Sequence, residues 1–289
     1  MKIVWKDKFK EKDKIIYWIR NWFDNEGEMG ENSDTVVASK VIPSIDNPIP
    51  KRAIVNITGG KDSAITAALC VEALGKNRVM GVIVSEPTWR QSEIQDAKKV
   101  IELLGIEKYM FDISNVMGTF KDAFMRGLGN KVALPISETY KTIPYRIANV
   151  IQYTLAGQMI NGNVVCSQNA SELYIGSNVK YGDLAGDMAP LADIPATLVT
   201  DIGRAIAYTI PELLPIIEKK PAYEDTLGFS YEDLDNYLFN GEFNNQDVVN
   251  MIEFMHKISA SKSCINIPRY RALIQDDVDE EAGIIYAET

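Results

Sequence analysis

The sequence predicts an α/β protein in three layers, a parallel sheet flanked by helices, and three observations predict it. Short apolar runs at 53–55, 79–84 and 109–113 read as buried strands. Segments with helical spacing separate them, which is the pattern of strand–helix–strand units. A Gly-Gly loop follows the first run directly, and in such sheets ligands gather beyond the carboxyl ends of the strands.

Each element follows in order. Residues 11–24 place Ile15, Ile16, Trp18, Ile19, Trp22 and Phe23 at helical spacing. Residues 25–50 are rich in Gly, Asn, Ser, Asp and Pro and read as a long loop or insertion. The first strand, Ala53-Ile54-Val55, leads into the loop and then a helix from about Ala64 to Leu74. The second strand stops at Ser85-Glu86-Pro87, and a helix from Glu93 to Leu104 stops at Gly105. Residues 114–160 read mostly as helix, clearest from Tyr145 to Met159. Val164-Val165-Cys166 centres a fourth strand over 163–167, which runs into Gln168-Asn169-Ala170-Ser171-Glu172 and a charged loop. Thr197 to Tyr208 is helical, broken near Pro211, and helices over 231–239 and 245–258 close the pattern. There is no internal repeat and no clean boundary. The expectation is one domain over 1–289, with an insertion at 25–50 and a helical C-terminal extension at 231–289.

Composition narrows the classes. The chain has 289 residues, 46% hydrophobic and 24% charged, ordinary values for a globular protein. No apolar run approaches the roughly 20 residues that span a bilayer. The charged N-terminus, with Trp5, Tyr17 and Trp18, lacks the apolar core and cleavage site of a signal peptide. Three scattered cysteines, Cys70, Cys166 and Cys264, fit neither a disulfide framework nor a thiolate zinc site. A reducing cytoplasm and no membrane partner are expected. The net charge of −10 argues against a broad nucleic-acid surface, and the single His256 excludes a two-histidine mechanism.

The loop itself reads Asn-Ile-Thr-Gly-Gly-Lys-Asp-Ser over 56–63. Two glycines let backbone N–H groups approach a ligand, and a following helix adds unpaired N–H groups and the positive end of its dipole. Thr58 and Ser63 add hydroxyls, and Asp62 can hold a divalent metal. Together these suit a polyphosphate with its magnesium ion. The spacing is neither the Gly-x-x-x-x-Gly-Lys-Ser/Thr loop nor Gly-x-Gly-x-x-Gly. It resembles the Ser-Gly-Gly-x-Asp-Ser pyrophosphate loop of the ATP pyrophosphatase superfamily, with Thr58 in place of the first serine.

Further segments make the resemblance more specific. Ala73-Leu74-Gly75, Gly81-Val82-Ile83, Tyr145-Arg146-Ile147, Gln168 to Glu172, Gly176, Lys180-Tyr181-Gly182-Asp183, Asp187 to Leu191 and Leu227 to Asp235 occur in that order. Over roughly residues 12–260 the chain resembles the ammonia-dependent NAD synthetases. The resemblance implies an adenine nucleotide α-hydrolase-like, Rossmann-like fold. It also implies amidation of deamido-NAD (nicotinic acid adenine dinucleotide) with ATP, Mg²⁺ and ammonia, through an adenylated intermediate, releasing AMP and pyrophosphate. It implies a homodimer too, with the 145–159 helix at its interface. The chain has no room before the loop for a glutaminase-type domain, so direct use of ammonia is expected.

Residue by residue, the resemblance implies that Thr58, Gly59, Gly60, Lys61 and Ser63 cradle ATP phosphates, and that Asp62 and Glu172 hold magnesium. Lys180 and Thr197 would reach ATP phosphates, and Ser85 would lie by the adenosine. Arg146, Asp183, Asp187, His256 and Lys257 would serve the dinucleotide, Asp183 and Asp187 near its nicotinate and the ammonia. Asp62, Lys180 and Asp183 would be catalytic. From the residues alone, Arg146 can also be read as a helix-surface ion-pair partner and Asp187 as a turn or cap residue, and His256 reads almost as well as a partly buried packing histidine. Two departures stand out. Where the family has a Leu-x-Lys-Thr-like run, this chain has Ile194-Pro195-Ala196-Thr197, so the lysine is lost at Ala196. The segment Lys219 to Thr226 is also shorter than the family's flexible loop. Lys61 or Lys219-Lys220 could compensate. These departures leave open a different carboxylate substrate for another adenylating amidotransferase, or a non-catalytic nucleotide-binding dimer.

Overall fold

The computed structural model describes residues 8–24, 50–86, 89–129, 136–158, 161–220, 224–240, 245–259 and 267–270. Most of the expected insertion at 25–50, the end of the C-terminal extension and Cys264 fall outside these residues.

Four parallel strands form one sheet in the order β3-β2-β1-β4: β1 (Arg52–Asn56), β2 (Val79–Ser85), β3 (Glu107–Asp112) and β4 (Gly162–Val165). The helices are α1 (Lys8–Asp24), α2 (Lys61–Leu74), α3 (Gln91–Leu104), α4 (Ser114–Leu128), α5 (Ile136–Gln158), α6 (Ala170–Ile175) and α7 (Ala196–Ala207). The short α8 (Leu214–Ile217), α9 (Glu224–Leu227) and α10 (Tyr231–Asp235) follow, and α11 (Gln246–Ser259) comes last.

The strand pleat builds the layers. Successive side chains of a strand point to opposite faces. Ala53, Val55, Val79 and Ile83 join a core with α1, α2, α3 and α7. Ile54, Met80, Val82 and Val84 join a second core with α5. β2 is buried along its whole length, as a central parallel strand must be. The expected three-layer architecture is the one observed.

The connectivity fixes where a ligand can sit. From β1 the chain steps outward to β2 and β3, then returns to the other side of β1 as β4. The order reverses between β1 and β4, and the crevice at their carboxyl ends is the ligand position in open α/β sheets.

Three elements differ from expectation. α2 begins at Lys61 rather than near Ala64, because Gly60 is its N-cap in extended conformation. Lys61, Asp62 and Ser63 are therefore the first helical turn, where aspartate is favoured by the helix dipole. The segment after Cys166 contains α6. Asn169 caps it through Glu172 N–H while the Glu172 side chain returns to the Asn169 backbone N–H, and Gly176 closes it in left-handed conformation. The expected helix over 231–239 is one α-helical turn, α10, continued by a π-helical turn over 236–240.

Candidate active site

A cleft of about 220 Å³ opens at the β1–β4 crevice, with Thr58, Gly60, Asp62 and Ser63 on one side and Glu172 and Asp183 on the other. The loop is pre-shaped by its own hydroxyls. Ser63 Oγ lies 3.1 Å from Thr58 Oγ1 and accepts from Thr58 N–H at 3.2 Å. Gly60 N–H donates to Thr58 Oγ1 at 3.3 Å. Gly59 is required by geometry: its φ is +85°, and a Cβ there would lie 2.1 Å from the backbone oxygen of Glu93. Gly60 has ordinary backbone angles, and no side chain caps α2, so the open N–H groups of its first turn face the crevice.

Asp62 and Glu172 meet across this cleft. Glu172 is half-buried with its carboxyl enclosed, and burial first, then the Asp62 charge, hold that carboxyl well above the usual carboxylate range. Both causes disfavour the Glu172 anion, and a divalent cation shared with Asp62 would offset them. Among the described residues no cluster of three or more metal-ligating side chains forms. Two carboxylates completed by substrate phosphates suit magnesium, which retains waters and seldom uses an all-protein cage.

Lys61 does not line this cleft. It is buried, and its Nζ donates to the backbone oxygen of Ala196 at 3.0 Å and lies 3.4 Å from Asp62 Oδ1. The ammonium thus reaches the position where the expected lysine is missing. Lys219 instead pairs with Asp96 at 2.9 Å, on the flank of α3. Thr197 is held by Asp235, whose Oδ2 accepts from Thr197 N–H and Oγ1 at 2.8 Å each. Asp235 also accepts from Ser171 Oγ, which in turn accepts from Ala196 N–H at 2.9 Å. Burial raises the Asp235 pKa against these bonds. The network locks α6, which carries Glu172, to the start of α7.

The charged loop after α6 borders the cleft unevenly. Asp183 lines it, anchored by Val179 N–H at 2.6 Å. Arg146 donates to the Lys180 backbone oxygen at 3.1 Å, and Lys180 Nζ lies over the Tyr181 ring. Tyr181 has a φ of +61°. Asp187 does not line the cleft: its carboxylate accepts from Val164 N–H at 2.8 Å and from Tyr153 OH at 3.3 Å, extending the β4 edge. Ser85 sits at the end of β2, donating to the Phe111 backbone oxygen. His256 is stacked on Tyr174 with ring centres 4.0 Å apart, its Nδ1 2.8 Å from the Tyr174 oxygen, and neither it nor Lys257 lines the cleft.

Three further lining residues were assigned no site role from the sequence, although Tyr145 lies in one of the matching segments. Trp89 and Tyr145 form an aromatic wall with ring centres 6.2 Å apart, and Gln152 joins them from α5. Tyr145 and Gln152 lie two turns apart on α5, and only the fold brings Trp89 to them.

A family model described as NAD synthase matches residues 40–270. The chain belongs to this family. Among NAD synthase relatives, the NH(3)-dependent NAD(+) synthetase of Methanocaldococcus jannaschii is 32% identical over 224 residues, 73% of this chain and 82% of the relative. That of Pyrococcus furiosus is 32% identical over 70% of this chain and 77% of the relative. Among solved structures, an NMN synthetase from Francisella tularensis aligns with a TM-score of 0.72 at 23% identity. It covers 90% of this chain and 98% of that one. The NH3-dependent NAD synthetase of Campylobacter jejuni aligns with a TM-score of 0.66 at 19% identity over the same shares. At these identities the structural likenesses establish the fold.

Proposed function

We propose that this protein amidates deamido-NAD with ammonia, in a single domain, at the expense of ATP and with Mg²⁺. The observation that carries the reading is one crevice holding a pyrophosphate loop and a facing carboxylate pair, in a chain of the NAD synthase family. The nicotinate carboxylate attacks the α phosphorus of ATP, and pyrophosphate leaves. Ammonia then attacks the adenylated carbonyl carbon, loses a proton and displaces AMP.

Each residue has a task in this reading. Thr58, Gly59, Gly60 and Ser63, with the start of α2, bind and orient the departing pyrophosphate. Asp62 and Glu172 would hold Mg²⁺, which supplies charge neutralisation at the phosphates when bound. Lys61 supplies a cation beside Ala196 in place of the absent lysine, and Lys180 a second one from the loop rim. Thr197, fixed by Asp235, marks the phosphate end, and Ser85 the adenosine end. Asp183 faces the nicotinate and ammonia. Asp187 shapes that end by fixing the loop to β4, and Arg146 holds the same loop from α5. His256 and Lys257 lie off the cleft on α11, so a role for them toward the dinucleotide would need α11 to close over it.

No helix among the described residues is long and apolar enough to cross a membrane. We assign the activity to the cytoplasm, in a homodimer that uses the α5 side of the sheet. The test is direct. Protein, deamido-NAD, ATP, Mg²⁺ and ammonium are incubated, and products are separated by chromatography. NAD and AMP in equal amounts support the reading. AMP formation with another carboxylic acid, and none with deamido-NAD, replaces the substrate.

A further inference from the structure

The resemblance assigns no role to Asn169, yet this residue touches both carboxylates, Asp62 through its side-chain amide and Glu172 through its backbone N–H. Asn169 is 1% exposed. Its Nδ2 donates to Asp62 Oδ1 at 3.3 Å. Its Oδ1 accepts from Glu172 N–H at 2.9 Å, and its backbone N–H donates to Glu172 Oε2 at 3.2 Å. One residue thus binds one oxygen of each carboxylate. We propose that Asn169 is a positioning residue that sets the separation and orientation of Asp62 and Glu172 for a divalent cation.

The choice of residue supports this. A helix cap alone is served as well by serine or aspartate. A serine hydroxyl is too short to span from the cap to Asp62, and an ionised aspartate has no donor to offer it. Asparagine alone among these accepts at the cap and donates across the cleft. Like charges on α2 and α6 would otherwise separate; the Asn169 amide holds Asp62 at one oxygen, and the cap that this side chain makes with Glu172 N–H sets the Asn169 backbone N–H against one oxygen of Glu172. Asp62 Oδ2 and Glu172 Oε1 have no partner among the described residues, which leaves one oxygen of each for the cation. Lys61 also touches Asp62 Oδ1, but the two hydrogen bonds to the Glu172 segment come from Asn169. Groups that orient metal ligands typically change metal affinity about 10–100-fold when removed.

This inference rests on the magnesium reading of the pair, so the test separates the two. Mn²⁺ binding to the full chain is followed by loss of the free-ion EPR signal, beside the Mg²⁺ dependence of NAD formation. Asn169→Ser keeps the cap and removes the donor. Both Mn²⁺ affinity and the Mg²⁺ requirement should worsen roughly tenfold, while the melting temperature changes little. Equal Mn²⁺ affinity for N169S and wild type overturns the proposal. If N169S does not fold, Asn169→Thr keeps a capping hydroxyl and likewise loses the donor to Asp62. Saturating Mn²⁺ should then raise the melting temperature of N169T less than that of wild type; equal increments overturn the proposal. Wild type that binds Mn²⁺ but makes no NAD removes the substrate reading and leaves the Mn²⁺ comparison to decide Asn169. Wild type that binds no Mn²⁺, either alone or with a non-hydrolysable ATP analogue beyond what the analogue takes up by itself, overturns both.

Discussion

The two loop glycines make opposite demands, and exchanging each for alanine separates folding from binding. At Gly59, φ is +85° and the new Cβ would lie 2.1 Å from a backbone oxygen at the start of α3. Left-handed backbone costs an alanine about 1–2 kcal/mol. The clash is with backbone rather than a mobile side-chain end, so α3 or the loop must also shift. We expect G59A to lose at least about 2 kcal/mol, combining that strain with the displacement. At about 2–4 °C per kcal/mol for domains near this size, the melting temperature should fall by roughly 4–8 °C. At Gly60 the backbone is ordinary, and a Cβ meets only Thr58 Oγ1 at 3.5 Å. G60A should therefore lose only about 1 kcal/mol, the usual disadvantage of alanine at an N-cap, and melt roughly 2–4 °C below wild type. Its methyl, however, lines the cleft where N–H groups would meet phosphate. Losing one charge-assisted bond costs about 1.5–3 kcal/mol, a roughly 10- to 150-fold drop in kcat/KM for ATP. Scanning calorimetry and ATP-dependent kinetics on both variants decide. A stable G59A, or a G60A with unchanged ATP kinetics, would refute this division of labour.

Other consequences follow from the same geometry. Asp62→Ala should abolish NAD formation while leaving the fold intact by circular dichroism; wild-type turnover in this variant would dismiss the metal-loop mechanism. Lys61→Met should raise the KM for ATP about tenfold or more by removing a charge-assisted contact worth about 1.5–3 kcal/mol, and an unchanged KM would return the missing charge at position 196 to another lysine. Asp235→Ala strands buried donors on Ser171 and Thr197, at about 1–3 kcal/mol for each one left unsatisfied. Urea denaturation should show the loss, with Asp235→Asn in between. Burial pushes the thiols of Cys70 and Cys166 up to about 12. Both stay protonated and unreactive as pH rises through 8, so in a Cys264→Ser background a thiol reagent should label neither until the chain unfolds. Native-state labelling at pH 8 would show that the enclosure of Cys166 is wrong.

Much of the fold was legible because β1 and β2 alternate between two buried faces, and strands separated by helical spacing leave few topologies. The start of α2 was misplaced because Lys61, Asp62 and Ser63 look like loop residues, although Asp and Ser are favoured in a first turn. α6 was legible in principle: Asn169 followed by Glu172 three residues on is a capping signature. It was masked by the polar character of the segment. The π-helical turn after Asp235 has no such signature. The site was legible where its chemistry is local, in the Thr58–Ser63 loop. It was not where the chemistry comes from tertiary contact. Lys61 reaches Ala196 across 135 residues, and Asn169 joins Asp62 across 107. Asp187 reads as a substrate-facing acid in the motif, yet its carboxylate is used by the edge of β4.

The central claim is that the carboxylate of deamido-NAD attacks the α phosphorus in this crevice, and isotope transfer tests it most directly. Deamido-NAD labelled with ¹⁸O in its nicotinate carboxylate is turned over with ATP, Mg²⁺ and ammonium, and the AMP is analysed by mass spectrometry. The account predicts that each AMP carries one ¹⁸O from the carboxylate and that pyrophosphate carries none. Unlabelled AMP, or ADP and phosphate in place of AMP and pyrophosphate, would contradict it.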